Sequence, residues 1–164
     1  MTDHRVYARH SGVKQSERLS IPHIKRCVRA ALDIERADVR CEVSVLITDD
    51  GGIQGINRRF RGIDEPTDVL SFPMYAFIPG CFDAAAGMID PETRLLPLGD
   101  IILSAERVDA QARMYGQTKE RETAYLTIHS MLHLLGYDHA DEAADKKRMR
   151  EREKYIMCEM GYGE

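Results

Sequence analysis

Three of the chain's six histidines fall within eleven residues, in the run His129-Ser-Met-Leu-His133-Leu-Leu-Gly136-Tyr-Asp-His139. Residues four apart on a helix lie one turn above each other on the same face, so His129 and His133 can offer two imidazoles to one ion. Gly136 follows three residues later, where a left-handed residue would end the helix. The chain can then turn back and bring in His139 as a third nitrogen. Three neutral imidazoles suit Zn2+ at about 2.0–2.1 Å and leave a fourth position for water, as catalytic rather than structural sites do. An ion held in this way lowers the pKa of bound water towards about 7. An isolated HxxxH is more simply two unrelated histidines on one helix. The glycine and the third histidine in register weigh against that explanation here. Imidazole also suits nickel, copper and iron, and the spacing makes one zinc per chain the expectation.

The same HxxxHxxGxxH spacing matches the ligand framework of metzincin zinc proteases. One position departs from the usual protease pattern. Where HExxH enzymes carry the glutamate that acts as general base, this chain has Ser130, which cannot do that work at neutral pH. The expectation is a metal-dependent hydrolase without a carboxylate next to its first ligand.

A second group of residues has chemistry of another kind. In the segment Asn57-Arg58-Arg59-Phe60-Arg61-Gly62, three arginines lie around one aromatic. A guanidinium is a fixed fork of donors matched to phosphate oxygens, so the segment could clamp a phosphodiester. Arg58 and Arg59 alone read as a solvated helix face. Lys25, Arg26 and Arg29 are similarly ambiguous. Residues 146–154 interleave Lys and Arg with Glu151 and Glu153, which reads as an exposed helix with internal ion pairs.

These groups need elements to position them. Ile24, Cys27, Val28, Ala31 and Leu32 recur at a helix period after Ser20 as N-cap. Residues 41–48 alternate as a strand, and Asp49-Asp50-Gly51-Gly52 breaks it. Ile53, Ile56 and Phe60 predict a short helix ending near Gly62, with strands following at 68–72 and 99–103. Between them, residues 74–98 hold Pro79, Pro91 and Pro97 without clear periodicity, which is long for a connection and suits a functional flap. Helices are predicted for 104–115, capped by Ser104, for 118–135, with Tyr125, Ile128 and Leu132 on an apolar stripe, and for 141–160. The fold class is therefore α+β, a mixed α/β sandwich in which one small mixed sheet of about four strands packs with about five helices.

Composition sets the outer bounds. The 164 residues are 43% hydrophobic and 30% charged, and fit one domain over 1–164. A net charge of -4 argues against indiscriminate nucleic-acid binding yet leaves room for a local basic cleft. No apolar run approaches the roughly 20 residues that span a bilayer, and the opening MTDHRVYARH lacks a signal-peptide pattern. The four cysteines are widely spaced, with no CxxC pair, as expected of reduced, mostly buried thiols in a cytoplasmic protein.

Taken together, the two motifs resemble those of the YbeY family of endoribonucleases, bacterial rRNA maturation factors. The segment NRRFRGIDEPTDVLSFP at 57–73, Gly99-Asp100-Ile101, and the run from His129 to His139 are similar to that family's signature stretches, in order. Ser130 stands where the family usually has glycine, and the stretch 74–98 is longer than the family pattern. The resemblance implies a zinc-dependent, single-strand-specific endoribonuclease acting in rRNA processing and ribosome quality control. It implies His129, His133 and His139 as metal ligands and Arg61 as the catalytic arginine. Its partners would be single-stranded RNA or rRNA and ribosomal particles or assembly proteins. Phe60 or Tyr75 could stack on splayed bases. Two other readings stand beside it. One is a metallopeptidase. The other is a non-catalytic ribosome-assembly factor with a structural zinc, its fourth position closed by Asp138 or Asp141.

Overall fold

The computed structural model describes residues 2–81, 88–138 and 143–163. In it the alternation of CEVSVLIT becomes strand β2 (Cys41–Thr48), with Cys41, Val43, Val45 and Ile47 buried. β2 pairs in parallel with β1 (Arg5–His10) on one side and with β4 (Leu96–Ser104) on the other. The short β3 (Val69–Pro73) runs antiparallel along β4, giving a mixed sheet of order β1-β2-β4-β3. Among the described residues five α-helices accompany it, so the α+β architecture expected from the sequence is the one observed. No helix among the described residues is long and apolar enough to cross a membrane.

Local chemistry starts the helices where the sequence predicts. The Ser20 hydroxyl accepts from the His23 N–H at the start of α1 (Ile21–Ile34), with a proline in its first turn. Asp49, Ser104 and Thr118 cap α2 (Asp50–Arg61), α3 (Ala105–Met114) and α4 (Lys119–Leu134) in the same way. Gly62, at φ 71°, ends α2 in the left-handed conformation. The last helix, α5 (Ala143–Glu159), packs against α4.

One sheet face carries the main core, built with α1 and α4, where Val43, Val45, Ile101 and Leu103 meet Ile24, Val28, Ile128 and Leu132. On the other face, α2 covers a small second cluster of Ile53, Leu70 and Ile102. α4 lies within the main core and is buried on nearly every side. From residue 121 to 134, only Arg121, Tyr125, His129 and His133 escape burial. These four positions are spaced by four, so they form a single stripe along the helix.

Three details differ from the sequence expectation. β1 is a further strand. β4 begins at Leu96 rather than 99, because Leu95, Leu96 and Leu98 are fully buried on either side of Pro97. Of the four free cysteines, Cys27 and Cys41 are buried, with thiols pushed up to about 12 by burial, while Cys81 and Cys158 are exposed.

Candidate active site

The C-terminal half of the α4 stripe forms the floor of an open cleft of about 740 Å3. His129 and His133 lie on that floor, and β3 supplies a wall through Val69, Ser71 and Pro73. Arg61, the last residue of α2, enters from the same side as β3, together with Asp68. Tyr75, Ala76 and Phe77 line the cleft from the segment after β3. That stretch therefore borders the site, as a functional flap would.

The 57–73 segment aims Arg61 through local bonds. The buried Asn57 donates from its side chain to the Glu65 carbonyl at 2.9 Å, closing the turn after Gly62. Asp68 accepts from the Val69 N–H at 2.7 Å and from Gln111 at 3.2 Å, which ties the start of β3 to α3. Arg58 and Arg59 remain on the solvated side, where the Arg59 guanidinium sits 5.4 Å over the Phe60 ring. Phe60 is 64% exposed and faces a different cavity of about 790 Å3 on the far face of the sheet, with Phe72, Arg9, Lys25 and Asp100. That cavity contains no histidine or cysteine. Of the two rings expected to meet bases, only Tyr75 lies in the cleft.

The two imidazoles are held with care. His129 donates from Nδ1 to Glu153 Oε1 at 2.6 Å, and His133 donates from Nδ1 to the Tyr137 carbonyl at 3.0 Å. A carbonyl only accepts, so the His133 proton belongs on Nδ1. Both Nε2 atoms then turn towards each other, 3.2 Å apart. Two nitrogen lone pairs at that distance repel unless a cation or proton lies between them. Two ligands at about 2.0–2.1 Å from one tetrahedral ion lie about 3.3–3.4 Å apart, close to the separation seen. The donor set therefore fits a divalent ion. His139 and Asp141 lie outside the described residues. Among the described residues, no group of three or more His, Cys, Asp or Glu side chains could hold an ion. Asp138 borders the cleft.

The other described histidines serve the fold. The His4 Nδ1 accepts from the Cys41 N–H, the His10 Nε2 accepts from the Leu19 N–H, and His23 bonds the Glu120 carbonyl.

Glu153 corrects the reading of α5 as an exposed charged helix. It is 6% exposed, and its second oxygen accepts from the Tyr125 hydroxyl at 3.1 Å. Tyr125 in turn stacks on the His129 ring, with centroids 6.1 Å apart. Burial, then the neighbouring Glu153 carboxylate, pushes the Tyr125 hydroxyl up to about 12, so it stays a donor. Behind His133, the Tyr137 hydroxyl donates to Glu35 at 2.8 Å, and Arg152 holds the same carboxylate at 2.7 Å. Sequence reasoning missed Tyr125, Tyr137, Glu35 and Glu153. Only Tyr125 left a signal there, through its place on the stripe 121, 125, 129, 133.

Known proteins resemble this chain over most of its length. The family model described as Endoribonuclease YbeY matches residues 9–161. Endoribonuclease YbeY of Roseiflexus sp. (strain RS-1) is 45% identical over 138 residues, covering 84% of this chain and 82% of that protein. Endoribonuclease YbeY of Thermoanaerobacter sp. (strain X514) is 41% identical over 140 residues, 85% of this chain and 87% of its own. The solution structure of TM1509 from Thermotoga maritima matches 94% of this chain and 91% of that one, with a TM-score of 0.55 and 22% identity, a likeness of fold. By sequence match over most of its length, this chain belongs to the endoribonuclease YbeY family.

Proposed function

We propose that the chain is a zinc-dependent, single-strand-specific endoribonuclease that hydrolyses RNA phosphodiester bonds in rRNA maturation and ribosome quality control. It works as one hydrolase domain over 1–164, in the cytoplasm, on ribosomal particles. The observation that carries this reading is the pair of Nε2 atoms converging at 3.2 Å in a cleft that Arg61 also lines. His129, His133 and His139 hold the ion, one per chain. When bound, zinc supplies Lewis-acid polarisation of a phosphoryl oxygen and a lowered pKa for bound water.

The protein's own residues do the rest. Glu153 and the Tyr137 carbonyl fix each imidazole in the tautomer that turns Nε2 to the cleft. Arg61 stabilises negative charge that develops on the phosphate in the transition state. Tyr75 offers a ring face to an unpaired base beside the scissile bond. Ser130 is fully buried and does not line the cleft, so no general base acts from that position, which disfavours a peptidase.

The test compares wild type with His133→Ala and Arg61→Ala, each assayed for metal content and for cleavage of unstructured RNA. His133→Ala is expected to lose metal and cleavage together. Arg61→Ala is expected to keep its metal and lose at least about a hundredfold in turnover. Cleavage that persists at the wild-type rate in His133→Ala would assign the activity to a contaminant and leave a binding factor. A 2′,3′-cyclic phosphate product would identify the substrate's own 2′-hydroxyl as nucleophile.

A further inference from the structure

The stripe on α4 does not end at the histidines. Beyond His129 it continues to Tyr125 and Arg121, and there it borders a second pocket of about 460 Å3 between α4 and the end of α5. Arg121 from α4 and Arg150 and Lys154 from α5 line this pocket, with Tyr125 and Tyr162. On α5, residues 150, 153, 154 and 157 share one face by helical spacing, so the two cations and Glu153 all look towards α4.

The charge balance there is one-sided. Among the described residues, Arg121, Arg150 and Lys154 have no ion-pair partner. Lys147 and Arg152 on the same helix each have one, Glu151 and Glu35. The one carboxylate in the lining, Glu153, is already committed to His129 and Tyr125. Three cations brought together around one carboxylate that is already committed repel one another, and such a cluster is relieved by a polyanion.

Position gives the polyanion its identity. From Arg121 to His129 is eight residues of helix, about 12 Å of axis, on the order of two nucleotides of extended backbone. The pocket and the catalytic cleft are joined through His129, whose ring stacks on the pocket's Tyr125 and bonds the pocket's Glu153.

We propose that Arg121, Arg150 and Lys154 form a second phosphate-binding subsite, which holds the backbone of a single RNA strand about two nucleotides from the bond being cut. The strand then lies along the exposed stripe of α4, with its scissile phosphate over His129 and His133. Specificity for single strands follows from this path, because the strand must pass close to a helix surface with its bases unpaired. The subsite rests on the proposed nuclease reading but can be measured separately from it.

The experiment uses the metal-loaded protein, the double variant Arg121→Ala/Lys154→Ala, and Lys14→Ala as a distant charge control. Binding of a labelled, unstructured RNA oligonucleotide is followed by anisotropy over a range of salt. Cleavage of that oligonucleotide is compared with cleavage of one too short to span both sites. The double variant is expected to raise KM for the longer RNA about tenfold with kcat within about twofold, and to leave the short RNA unaffected. Its log–log salt slope should shrink by about 0.7 for each phosphate that is no longer bound. Affinity and salt slope equal to wild type would overturn the subsite. So would displacement of the RNA by polyglutamate as readily as by competitor RNA, since that would assign the patch to an acidic peptide. If wild type binds but cleaves nothing and the double variant still loses affinity, the subsite stands and the catalytic reading falls.

Discussion

At the scale of single residues, the site depends on which hydrogen bonds are made behind the ligands. Glu153 receives the His129 proton at 2.6 Å while almost fully buried, so it fixes both the tautomer and the ring direction. Glu153→Gln keeps the shape but replaces a carboxylate with an amide that can present its NH2 to Nδ1. Metal affinity is expected to fall about 10- to 100-fold, read by competition with a chromogenic chelator. An affinity equal to wild type would remove Glu153 from the site. Ser130 offers the opposite case. Its hydroxyl is buried with no partner among the described residues, so it carries a desolvation cost without a bond. Ser130→Ala is expected to raise stability by about 1 kcal/mol, with metal content and RNA cleavage unchanged. A lower urea midpoint for this variant would mean that the hydroxyl does have a partner. The ligand spacing of His129 and His133 was legible in the sequence, because helix geometry alone puts them together. Glu153 was not, because an acidic residue among Lys and Arg reads as solvated until α5 is seen lying on α4.

At the scale of elements, α4 explains why the site lies where it does. A helix buried on nearly all sides exposes one stripe, and the polar residues on it have nowhere else to go. The end of this helix is equally constrained. Gly136 has φ 99°, and a Cβ there would lie 2.0 Å from the Phe77 carbonyl oxygen. Gly136→Ala is therefore expected to destabilise the fold by about 2 kcal/mol or more. It should also weaken metal binding, because the Tyr137 carbonyl that positions His133 is next in the chain. Equal urea midpoints for the variant and wild type would show that Phe77 does not press on this turn. Four of the described helices were readable from caps and period, because each begins after Ser, Thr or Asp, whereas α5 was readable only from its alternating charges. β1 was harder: in RVYARH only Val6 is buried among exposed Arg5, Tyr7 and Arg9, and its parallel partner lies beyond a whole helix. Pro97 concealed the start of β4 in the same way, by interrupting a run that tertiary packing buries.

At the scale of the whole molecule, pH acts through groups far from the cleft. Burial holds the His4 imidazole below its ordinary 6.5, against the opposing pull of Asp33, and its Nδ1 already accepts from the Cys41 N–H. Protonating that nitrogen would break the bond joining the N-terminal segment to β2. The unfolded chain thus takes up the proton first as pH falls. The stability His4 contributes is full above about 6.5 and is lost as pH drops through the lower folded value. Burial raises the Glu122 carboxyl, so its contribution runs the other way, present at acid pH and lost as pH rises through its folded value. Urea titrations are expected to show a decline below pH 6.5 that flattens in His4→Asn, which keeps an acceptor for Cys41. Parallel curves for the two proteins would assign the decline to other groups. The sheet itself has two open margins, β1 and β3, each a row of backbone donors and acceptors that could template a foreign strand. β1 presents Arg5 and Arg9 along its margin, and β3 is five residues long and ends in Pro73, which has no N–H to offer. Those same choices guard against fibre formation: replacing both arginines with valine would turn a repelling margin into a sticky seam, and aggregation would then rise steeply with concentration.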